Sequence, residues 1–448
     1  MSDEILADGF SEEPWWWQHA APGDHGAGND GGECDVLVVG SGYAGLSCAH
    51  ELASSGLSVA VLDAGRIGSG ASTRAAGLLS GRAGVSKQID LEALAGREHA
   101  ARIFDEADEA YAYLRRLVAD NDIHCHLEAC GRFVGAHTPA AYDKLAAKAR
   151  EYDRGGGARF RMVPKSEQGD FVDSDYWYGG MYTEDAGSIH PSLYHRGLVD
   201  LCIGAGVTLV SNNRVLGIVH EDGFKCVATE RGTWRAREVV LATNGYTDAL
   251  SPWHRKRLIP ISSTVAASEP IGADAVAAIL PKRCPVIDTR RVICYLRPAP
   301  DGESILFGGR ARFSPLGPAE SAKILRAQLV EMFPRMSYIK VTHAWSGLMG
   351  FTFDFMPKIG IHQGLHYAVG CNGGCGIVMM SWLGRRIAGK LLGSATRPSA
   401  FEGLEFKTQP FYSGKPWFLP VIGNWWRLRD WLEIRRARAS KPRGTAAA

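Results

Sequence analysis

The chain has 448 residues, enough for two or three domains, since a domain typically has about 150 residues. Hydrophobic residues make up 46% and charged residues 22% of the chain, which excludes a disordered or fibrous protein. The 50 basic and 48 acidic side chains leave a net charge of +2, so no one-sided charge attracts nucleic acid to the chain as a whole.

Residues 1–33 are predicted to form a polar, glycine-rich and mobile arm. They show no basic segment followed by an apolar one, as a secretory signal would. Trp15, Trp16 and Trp17 are the exception in this arm, because three exposed tryptophans would be costly, and we expect them to dock on the body or a partner. The ten cysteines are too few and too scattered for a disulfide scaffold. With no apolar run long enough to span a bilayer, the sequence predicts a soluble, reduced, cytoplasmic protein.

A buried strand, a glycine-rich turn and a helix follow the arm. Val36 to Val39 form a continuous apolar run, typical of a parallel strand covered on both faces. The pattern Gly40-x-Gly42-x-x-Gly45 comes next and opens the predicted helix. In this setting the first glycine permits the tight turn, the second lets the backbone approach a pyrophosphate, and the third lets the helix pack on the strand. The free N–H groups of the helix then face the phosphates.

A second strand, Ser58 to Leu62, ends at Asp63, eighteen residues after Gly45. A carboxylate there can accept hydrogen bonds from a ribose hydroxyl and disfavours the 2′-phosphate of NADP. The spacing therefore predicts a dinucleotide site and leaves FAD and NAD both open.

The rest of the chain alternates helical, strand-like and glycine-rich segments. In chain order they are helices over 91–152, short strands over 206–245, strands with one helix over 255–340, a glycine- and aromatic-rich stretch over 345–376, a helix over about 377–392, and a proline- and tryptophan-rich tail over 408–448 with a basic end.

Several segments together resemble the D-amino-acid oxidase, glycine oxidase and sarcosine oxidase superfamily of flavoproteins, nearest its gamma-glutamylputrescine oxidoreductase branch. The segments that carry the resemblance are VLVVGSGYAGLSCAHELASSGLSVAVLDAGRIGSGASTRAAGLLSG (36–81), DAGSIHPSLYHRGL (185–198), VVLATNGYTDAL (239–250), DTRRVICYLRPAPDGESILFGGR (288–310), WSGLMGFTFDFMPKIG (345–360) and AVGCNGGCGIVMMSWLGRRIA (368–388). This resemblance implies FAD as the cofactor, and FAD bound without a covalent link, because no cysteine stands at Trp345-Ser346.

The resemblance also implies which residues contact FAD. They are Gly40, Ser41, Gly42, Tyr43, Ala44 and Gly45 at the pyrophosphate; Asp63, with Ala64 beside it, at the ribose; Arg66, Ser72, Thr73, Arg74, Gly77 and Leu78 in the second loop that approaches the phosphates and the flavin; Val215 at the adenine; Ala242, Thr243 and Asn244; and Gly373, Gly374, Cys375, Gly376 and Ile377 near the flavin pyrimidine.

Apolar side chains are the candidates for the catalytic face of the flavin. They are Trp345, Tyr295, Phe351 and Phe353, with plain core packing as the open alternative for each. Cys375 stands where relatives often carry a polar residue, and is either redox-active or a small packing residue. Relatives that oxidise amino acids commonly hold the carboxylate with an arginine where this chain has Met349. The resemblance therefore implies an amine substrate, or an acid whose carboxylate lies against Arg297 or Arg310.

The reaction implied by the resemblance is hydride transfer from the carbon beside an amine nitrogen to flavin N5. The imine then hydrolyses, and O2 reoxidises the flavin with release of peroxide. The alternative is a dehydrogenase or subunit that passes electrons to another protein or acceptor. A monooxygenase that uses NADPH is weaker, because no second nucleotide-binding glycine motif follows.

Two other motifs have simple interpretations. His124-Cys125-His126 with Cys130 fits no common zinc spacing, so no metal is predicted. The tail places Trp425, Trp426 and Trp431 near a basic end, which suits either docking on the protein body or an interfacial helix at a membrane surface.

The predicted fold is α/β, with a discontinuous Rossmann-like FAD-binding domain and a mixed-sheet substrate domain of the D-amino-acid oxidase type. The FAD-binding domain is assigned to 34–90, 175–252 and 341–395, and the substrate domain to 91–174 and 253–340. The arm 1–33 and the tail 396–448 flank them, and the site is expected between the two domains.

Overall fold

The structure is a computed structural model that describes residues 5–85, 89–153, 160–310, 313, 316–370 and 374–439. Its strands are β1 (Leu6–Ser11), β2 (Gly32–Val39), β3 (Val59–Leu62), β4 (Leu78–Ser80), β5 (Arg132–Gly135), β6 (Phe160–Val163), β7 (Gly180–Thr183), β8 (Ala186–Ser188), β9 (Thr208–Val210), β10 (Val215–Glu221), β11 (Phe224–Thr229), β12 (Thr233–Leu241), β13 (Ile259–Ser268), β14 (Val286–Asp288), β15 (Cys294–Pro298), β16 (Ile305–Gly309), β17 (Val341–Phe351), β18 (Lys358–His362) and β19 (Leu365–Val369).

The helices cover the faces of the sheets. They are α1 (Tyr43–Ser54), α2 (Arg82–Val85), α3 (Leu91–Ala95), α4 (Arg97–Asp120), α5 (Pro139–Asp153), α6 (Pro191–Gly204), α7 (Pro252–Arg255), α8 (Ala273–Ile279), α9 (Pro318–Met332), α10 (Gly376–Leu391) and α11 (Leu419–Ala439), with short 3₁₀ helices at Trp15–Gln18, Ala71–Arg74, Lys165–Asp170, Asn244–Tyr246 and Pro334–Met336. Among the helices described, none combines the length and apolar character needed to cross a bilayer.

One sheet has a parallel centre that carries the glycine-rich turn. β2 lies between β3 and β12, and all three strands run parallel, with β9 and β19 continuing the parallel order on either side. The apolar run Val36 to Val39 is covered on both faces, which is why it contains no polar alternation. α1 and α10 cross on one face of this sheet so closely that a Cβ at Gly384 would lie 2.1 Å from the Ala44 carbonyl oxygen.

The second sheet has nine strands in the order β1-β17-β13-β16-β15-β14-β5-β7-β6. Its centre is antiparallel, and the pairing of β13 with β17 places Val265 opposite Trp345. α9 packs on one face through Ala322, Leu325 and Leu329. The two faces of this sheet differ. The face under α9 belongs to a hydrophobic core, and part of the opposite face borders a large cavity.

Three segments join the nine-stranded sheet, which the sequence analysis did not predict for them. β7 and β17, assigned to the FAD-binding segments, pair within the nine-stranded sheet. The arm, expected to be mobile, contributes β1 to the edge of the same sheet, where Leu6 pairs with Val341. Edge pairing of this kind is set by backbone hydrogen bonds between distant segments, which the composition of the arm does not reveal.

Candidate active site

A cavity of about 520 Å³ lies between the glycine-rich turn of the parallel sheet and the nine-stranded sheet. Most of the residues that were predicted to contact FAD line this cavity. Those that line it are Gly40, Ser41, Gly42, Tyr43, Ala44, Asp63, Ala64, Ser72, Arg74, Gly77, Leu78, Val215, Ala242, Thr243, Asn244, Gly374, Gly376 and Ile377. Tyr295 and Phe351, two of the predicted catalytic residues, line it as well.

The three glycines of the turn have different surroundings. Gly40 has a φ of +106°, a conformation that favours glycine. A Cβ at Gly45 would lie 2.0 Å from the Gly40 carbonyl oxygen, so only glycine lets α1 approach β2 this closely. A Cβ at Gly42 would contact only the Ser72 hydroxyl oxygen, at 3.1 Å. Gly42 therefore keeps the cavity wall open, whereas Gly40 and Gly45 maintain the fold of the turn.

Asp63 stabilises the glycine-rich turn from the end of β3. Its carboxylate accepts hydrogen bonds from the Ser41 N–H at 2.9 Å, the Ser41 hydroxyl at 2.6 Å and the Gly65 N–H at 3.0 Å. The Ser41 carbonyl oxygen in turn accepts from Nε2 of His195, at 2.7 Å. Because a carbonyl only accepts, His195 is the tautomer that carries its proton on Nε2.

Burial lowers the pKa of His195 to about 4, well below its ordinary value near 6.5. An imidazole whose folded-state pKa is depressed supports folding fully above pH 6.5 and loses that support as the pH falls toward 4, because the unfolded chain binds the proton first. We expect this one group to remove about 2 kcal/mol of unfolding free energy between pH 7.5 and 5. His195→Gln keeps an N–H at the Nε2 position and does not titrate, so urea unfolding at the two pH values should show a smaller loss for the variant. An equal loss in both proteins would contradict the assignment.

Three tryptophans hold the loop between Gly68 and Leu78 through their indole N–H groups. Trp17 donates to the Thr73 hydroxyl at 3.0 Å, Trp345 to the Arg74 carbonyl at 2.9 Å, and Trp16 to the Ala75 carbonyl at 2.9 Å. Three consecutive loop residues are therefore tied to donors from two distant parts of the chain. The predicted docking of the arm tryptophans takes this form, with Trp16 fully buried.

Removing one of these donors should loosen the loop. Trp16→Phe keeps an aromatic ring but leaves the Ala75 carbonyl without its donor, which costs about 1–3 kcal/mol for a buried group. We expect a lower thermal midpoint and several-fold weaker FAD binding, measured by flavin fluorescence on titration of the apoprotein. Trp417→Phe is the matched control, since Trp417 is exposed, and it should leave both quantities unchanged. Unaltered FAD binding in Trp16→Phe would show that the arm does not support the loop.

Besides Phe353, five described residues that were predicted for the site do not line the cavity. Gly45 and Thr73 lie behind its wall, and Arg66 is exposed to solvent. Cys375 is fully buried and packs against Gly84: a Cβ added at Gly84 would lie 2.7 Å from the Cβ of Cys375. Cys375 is therefore not part of the cavity surface. Trp345 is fully buried against Trp16, with their ring centres 6.1 Å apart. Gly373 falls outside the described residues.

The substrate end of the cavity is formed by the nine-stranded sheet. Residues there that the sequence analysis did not single out include Ser263, Ile287, Ile293 and Leu348. Tyr295 lies among them, and burial raises its pKa to about 12, so it is a neutral phenol at physiological pH. Gly308 pairs with it on the next strand, and a Cβ there would lie 2.5 Å from the Tyr295 hydroxyl oxygen. Phe353, the remaining aromatic candidate, packs against Tyr412 instead.

Arg310 is a buried cation in the wall of this end. Its side chain lies near the rings of Phe313 and Phe351, at 5.6 and 5.0 Å, and the residue is only 6% exposed. Among the described residues it makes no hydrogen bond and no ion pair. Burial lowers its pKa to about 10, so the guanidinium still carries its charge near neutral pH. A buried charge with no partner is costly unless something else compensates it.

Arg297, the other predicted anchor for a carboxylate, is already engaged. Its guanidinium donates to the carbonyl oxygens of Gly77 at 3.0 Å, Ile189 at 2.8 Å and Pro298 at 3.0 Å. It does not line the cavity. Of the two arginines, only Arg310 is placed to meet a bound molecule.

Groups that could hold a metal lie away from this cavity. The His124 side chain is 88% exposed whereas Cys125 is buried, so their side chains diverge. His137, Asp430 and Glu433 place ligand atoms within 4.8 Å of one another. Arg291 binds both carboxylates of that cluster, at 2.7 and 2.8 Å, and already supplies the positive charge.

Comparison with known proteins identifies the family to which such a cavity belongs. The model of the DAO family, described as FAD dependent oxidoreductase, matches residues 35–389. The gamma-glutamylputrescine oxidoreductase of Escherichia coli (strain K12) is 30% identical over 416 residues, which cover 91% of this chain and 95% of the relative. The probable oxidoreductase OrdL of Rhizobium meliloti (strain 1021) is 28% identical over 405 residues, covering 89% and 92%. The crystal structure of glycine oxidase from Geobacillus kaustophilus superposes with a TM-score of 0.68 at 22% identity, covering 84% of this chain and 99% of that one.

Proposed function

Because this chain belongs to the DAO family of FAD-dependent oxidoreductases, we propose that it oxidises the C–N bond of a small amine that also carries an anionic group. The family resemblance, the α/β fold of the D-amino-acid oxidase type and FAD as cofactor, all predicted from the sequence, are confirmed. The identity of the substrate and of the electron acceptor belongs to the proposal. The observation that carries it is the buried guanidinium of Arg310 in the cavity wall, which makes no hydrogen bond and no ion pair with the residues that the structure describes.

The residues of the cavity suit FAD. α1 begins at Tyr43 with no capping side chain from its N-cap residue, Gly42, so its N-terminal N–H groups and dipole suit a pyrophosphate. The Ser72 hydroxyl accepts from the Tyr43 N–H at 3.1 Å and can turn its own proton toward a phosphate oxygen. Asp63, at the end of β3, lines the cavity, which supports the proposal that it binds the adenosine ribose. Since Cys375 is buried away from the surface of the cavity, we propose that FAD is held without a covalent link.

Bound FAD would supply the oxidising chemistry, taking a hydride from the carbon beside the amine nitrogen so that water can hydrolyse the resulting imine. The protein has to orient the amine and exclude water. Ile287, Ile293 and Phe351 provide apolar walls for that purpose. The acids among the described lining residues, Asp63 and Asp248, are on the nucleotide side, and the substrate end contains neither a carboxylate nor an imidazole. The amine therefore has to reach the site as the free base.

Arg310 determines which amines fit. A carboxylate can accept two parallel hydrogen bonds from a guanidinium, and these bonds are strong here because Arg310 is buried. An amine with an acid group some distance from its nitrogen can place the acid at Arg310 and the C–H at the flavin. The relative from Escherichia coli is named for a gamma-glutamyl amine, and a substrate of that general class agrees with this arrangement.

The test is peroxide release and flavin reduction across matched pairs of amines. Each pair contains an amine with a free carboxylate, such as an N-(γ-glutamyl) diamine, and the same amine with that carboxylate esterified. We expect peroxide from the acid and at least tenfold less from the ester. Preference for the ester, or activity restricted to simple 2-amino acids, would contradict the substrate class. If the amine reduces the flavin but no oxygen is consumed, and an added dye reoxidises the flavin, the electron acceptor is a molecule other than O2.

A further inference from the structure

Helix α11 is fixed to the body of the protein by one face. Its buried residues are Leu419, Gly423, Asp430 and Ala437. Asp430 accepts hydrogen bonds from Arg291 at 2.7 Å and from the Val292 N–H at 3.0 Å, and Glu433 accepts from Arg291 at 2.8 Å. Both carboxylates of the helix therefore lie toward the body.

The opposite face of the same helix exposes large apolar side chains. They are Val421 at 69%, Trp425 at 56%, Leu428 at 47% and Trp431 at 52%, with Trp417 just before the helix at 68%. Their spacing of four, three and three residues from Val421 places them on one side of a 3.6-residue helix. Of the thirteen large hydrophobic side chains exposed in the described part of the chain, six lie between 411 and 431. An exposed apolar patch of this density indicates a surface that binds a protein or a membrane.

The charged side chains of α11 are mostly positive. It contains five arginines, at 427, 429, 435, 436 and 438. Its two acids are those that Arg291 binds from the body. The helix wheel places Arg429 and Arg436 on one flank of the apolar stripe and Arg427 on the other, whereas Arg438 pairs with Glu331 of the body at 3.0 Å. The sequence goes on to Lys441 and Arg443. Tryptophan and leucine along one face with arginines beside them are the features of a helix that lies in the interface of an anionic membrane.

We propose that α11 docks this protein on an anionic membrane surface, with Val421, Trp425 and Leu428 in the headgroup region. The arginines near such a surface are attracted to its negative potential, and the exposed apolar side chains add the free energy of their transfer from water. A second copy of the chain is the other occupant to consider. An isologous dimer would bring the arginines of two helices together, and the helix offers no outward acid to compensate them. Charge complementarity therefore favours the membrane.

Vesicle co-sedimentation of the full-length holoenzyme tests this. The probes are vesicles of phosphatidylcholine alone and of phosphatidylcholine with about 30% phosphatidylglycerol, at low salt and at about 0.5 M NaCl. The variant is V421S/W425S/L428S, and the matched control is L216S/V219S, which removes two exposed apolar side chains of β10. We expect at least tenfold stronger partition of the wild type and control to anionic vesicles at low salt, loss of most binding at high salt, and loss of at least 90% of binding in the triple variant. Flavin absorbance and peroxide release should be the same in all three proteins.

Three outcomes would overturn the proposal. They are a wild type that stays in the supernatant with anionic vesicles, a triple variant that binds as well as the wild type, and light scattering that shows a dimer in the wild type and a monomer in the triple variant. The last would assign the patch to a second copy of the chain.

Discussion

Gly42→Val should give a folded protein that no longer retains FAD. Within the protein, a Cβ at this position would contact only the Ser72 hydroxyl oxygen, at 3.1 Å, so the fold accepts it once that side chain shifts slightly. It would stand at the cavity wall beside the N-terminus of α1, where the pyrophosphate is expected to lie. We expect FAD affinity to fall about a hundredfold or more, equivalent to ~3 kcal/mol. The thermal midpoint of the apoprotein should stay within a few degrees of the wild type.

The control for this substitution is Gly217→Val in β10. Gly217 has no atom near its Cβ position and does not line the cavity, so valine there tests the general cost of replacing a glycine in this sheet. It should bind FAD normally. Isothermal titration of the two apoproteins with FAD makes the comparison, and equal affinities would mean that the turn at 40–45 does not cradle the phosphates.

Arg310→Met should abolish most turnover of acid-bearing amines. The guanidinium is buried and charged, so losing its hydrogen bonds to a carboxylate leaves that carboxylate unpaired in a dry site, at a cost of about 2–5 kcal/mol. We expect kcat/KM for the acid to fall about 10²–10³-fold, with Arg310→Lys intermediate, because lysine keeps the charge without the bidentate geometry. The esterified amine should be affected about tenfold less.

Arg116→Met is the matched control for Arg310→Met. It removes an arginine that is exposed, does not line the cavity and was not predicted to contact FAD, and it should keep the wild-type kinetics for the acid and the ester. Steady-state kinetics of the three proteins on both amines gives the comparison. If Arg310→Met loses equal activity on acid and ester, Arg310 supports the fold of the site and does not recognise an anion.

Local sequence patterns predicted the nucleotide end of the cavity because its contacts are local. The turn at Gly40 to Gly45 and the acid at Asp63 belong to one strand, one helix and the next strand, and their geometry follows from spacing alone. One contact of the turn that spacing does not reveal is the hydrogen bond from His195, 154 positions away, to the Ser41 carbonyl oxygen. The family resemblance added Val215, the first residue of β10, and Ala242, which follows β12, and both line the same cavity.

The substrate end was harder to predict because neighbouring strands and the arm decide which side chains stay open. Trp345 lies on the same face of β17 as Gly347, Met349 and Phe351, and these three residues line the cavity. Trp345 does not, since Trp16 of the arm covers it. Nothing in the sequence around Trp345 indicates that contact.

The two arginines show the same effect. Arg297 follows Tyr295 on the same side of β15, and the sequence offered it and Arg310 equally as anchors for a carboxylate. Its guanidinium is taken up by carbonyl oxygens of two loops that pass over the strand end, Gly77 and Ile189. The choice depends on hydrogen bonds between segments more than 100 positions apart, which periodicity does not report.

The visible spectrum of the purified protein during anaerobic titration with an acid-bearing amine is the most direct test of the account. We predict a yellow protein with a band near about 450 nm, one FAD per chain released into the supernatant by trichloroacetic acid, and bleaching of the band by the amine in the wild type but not in Arg310→Met. A colourless protein that takes up no added FAD, or a flavin band that no amine bleaches, would contradict it.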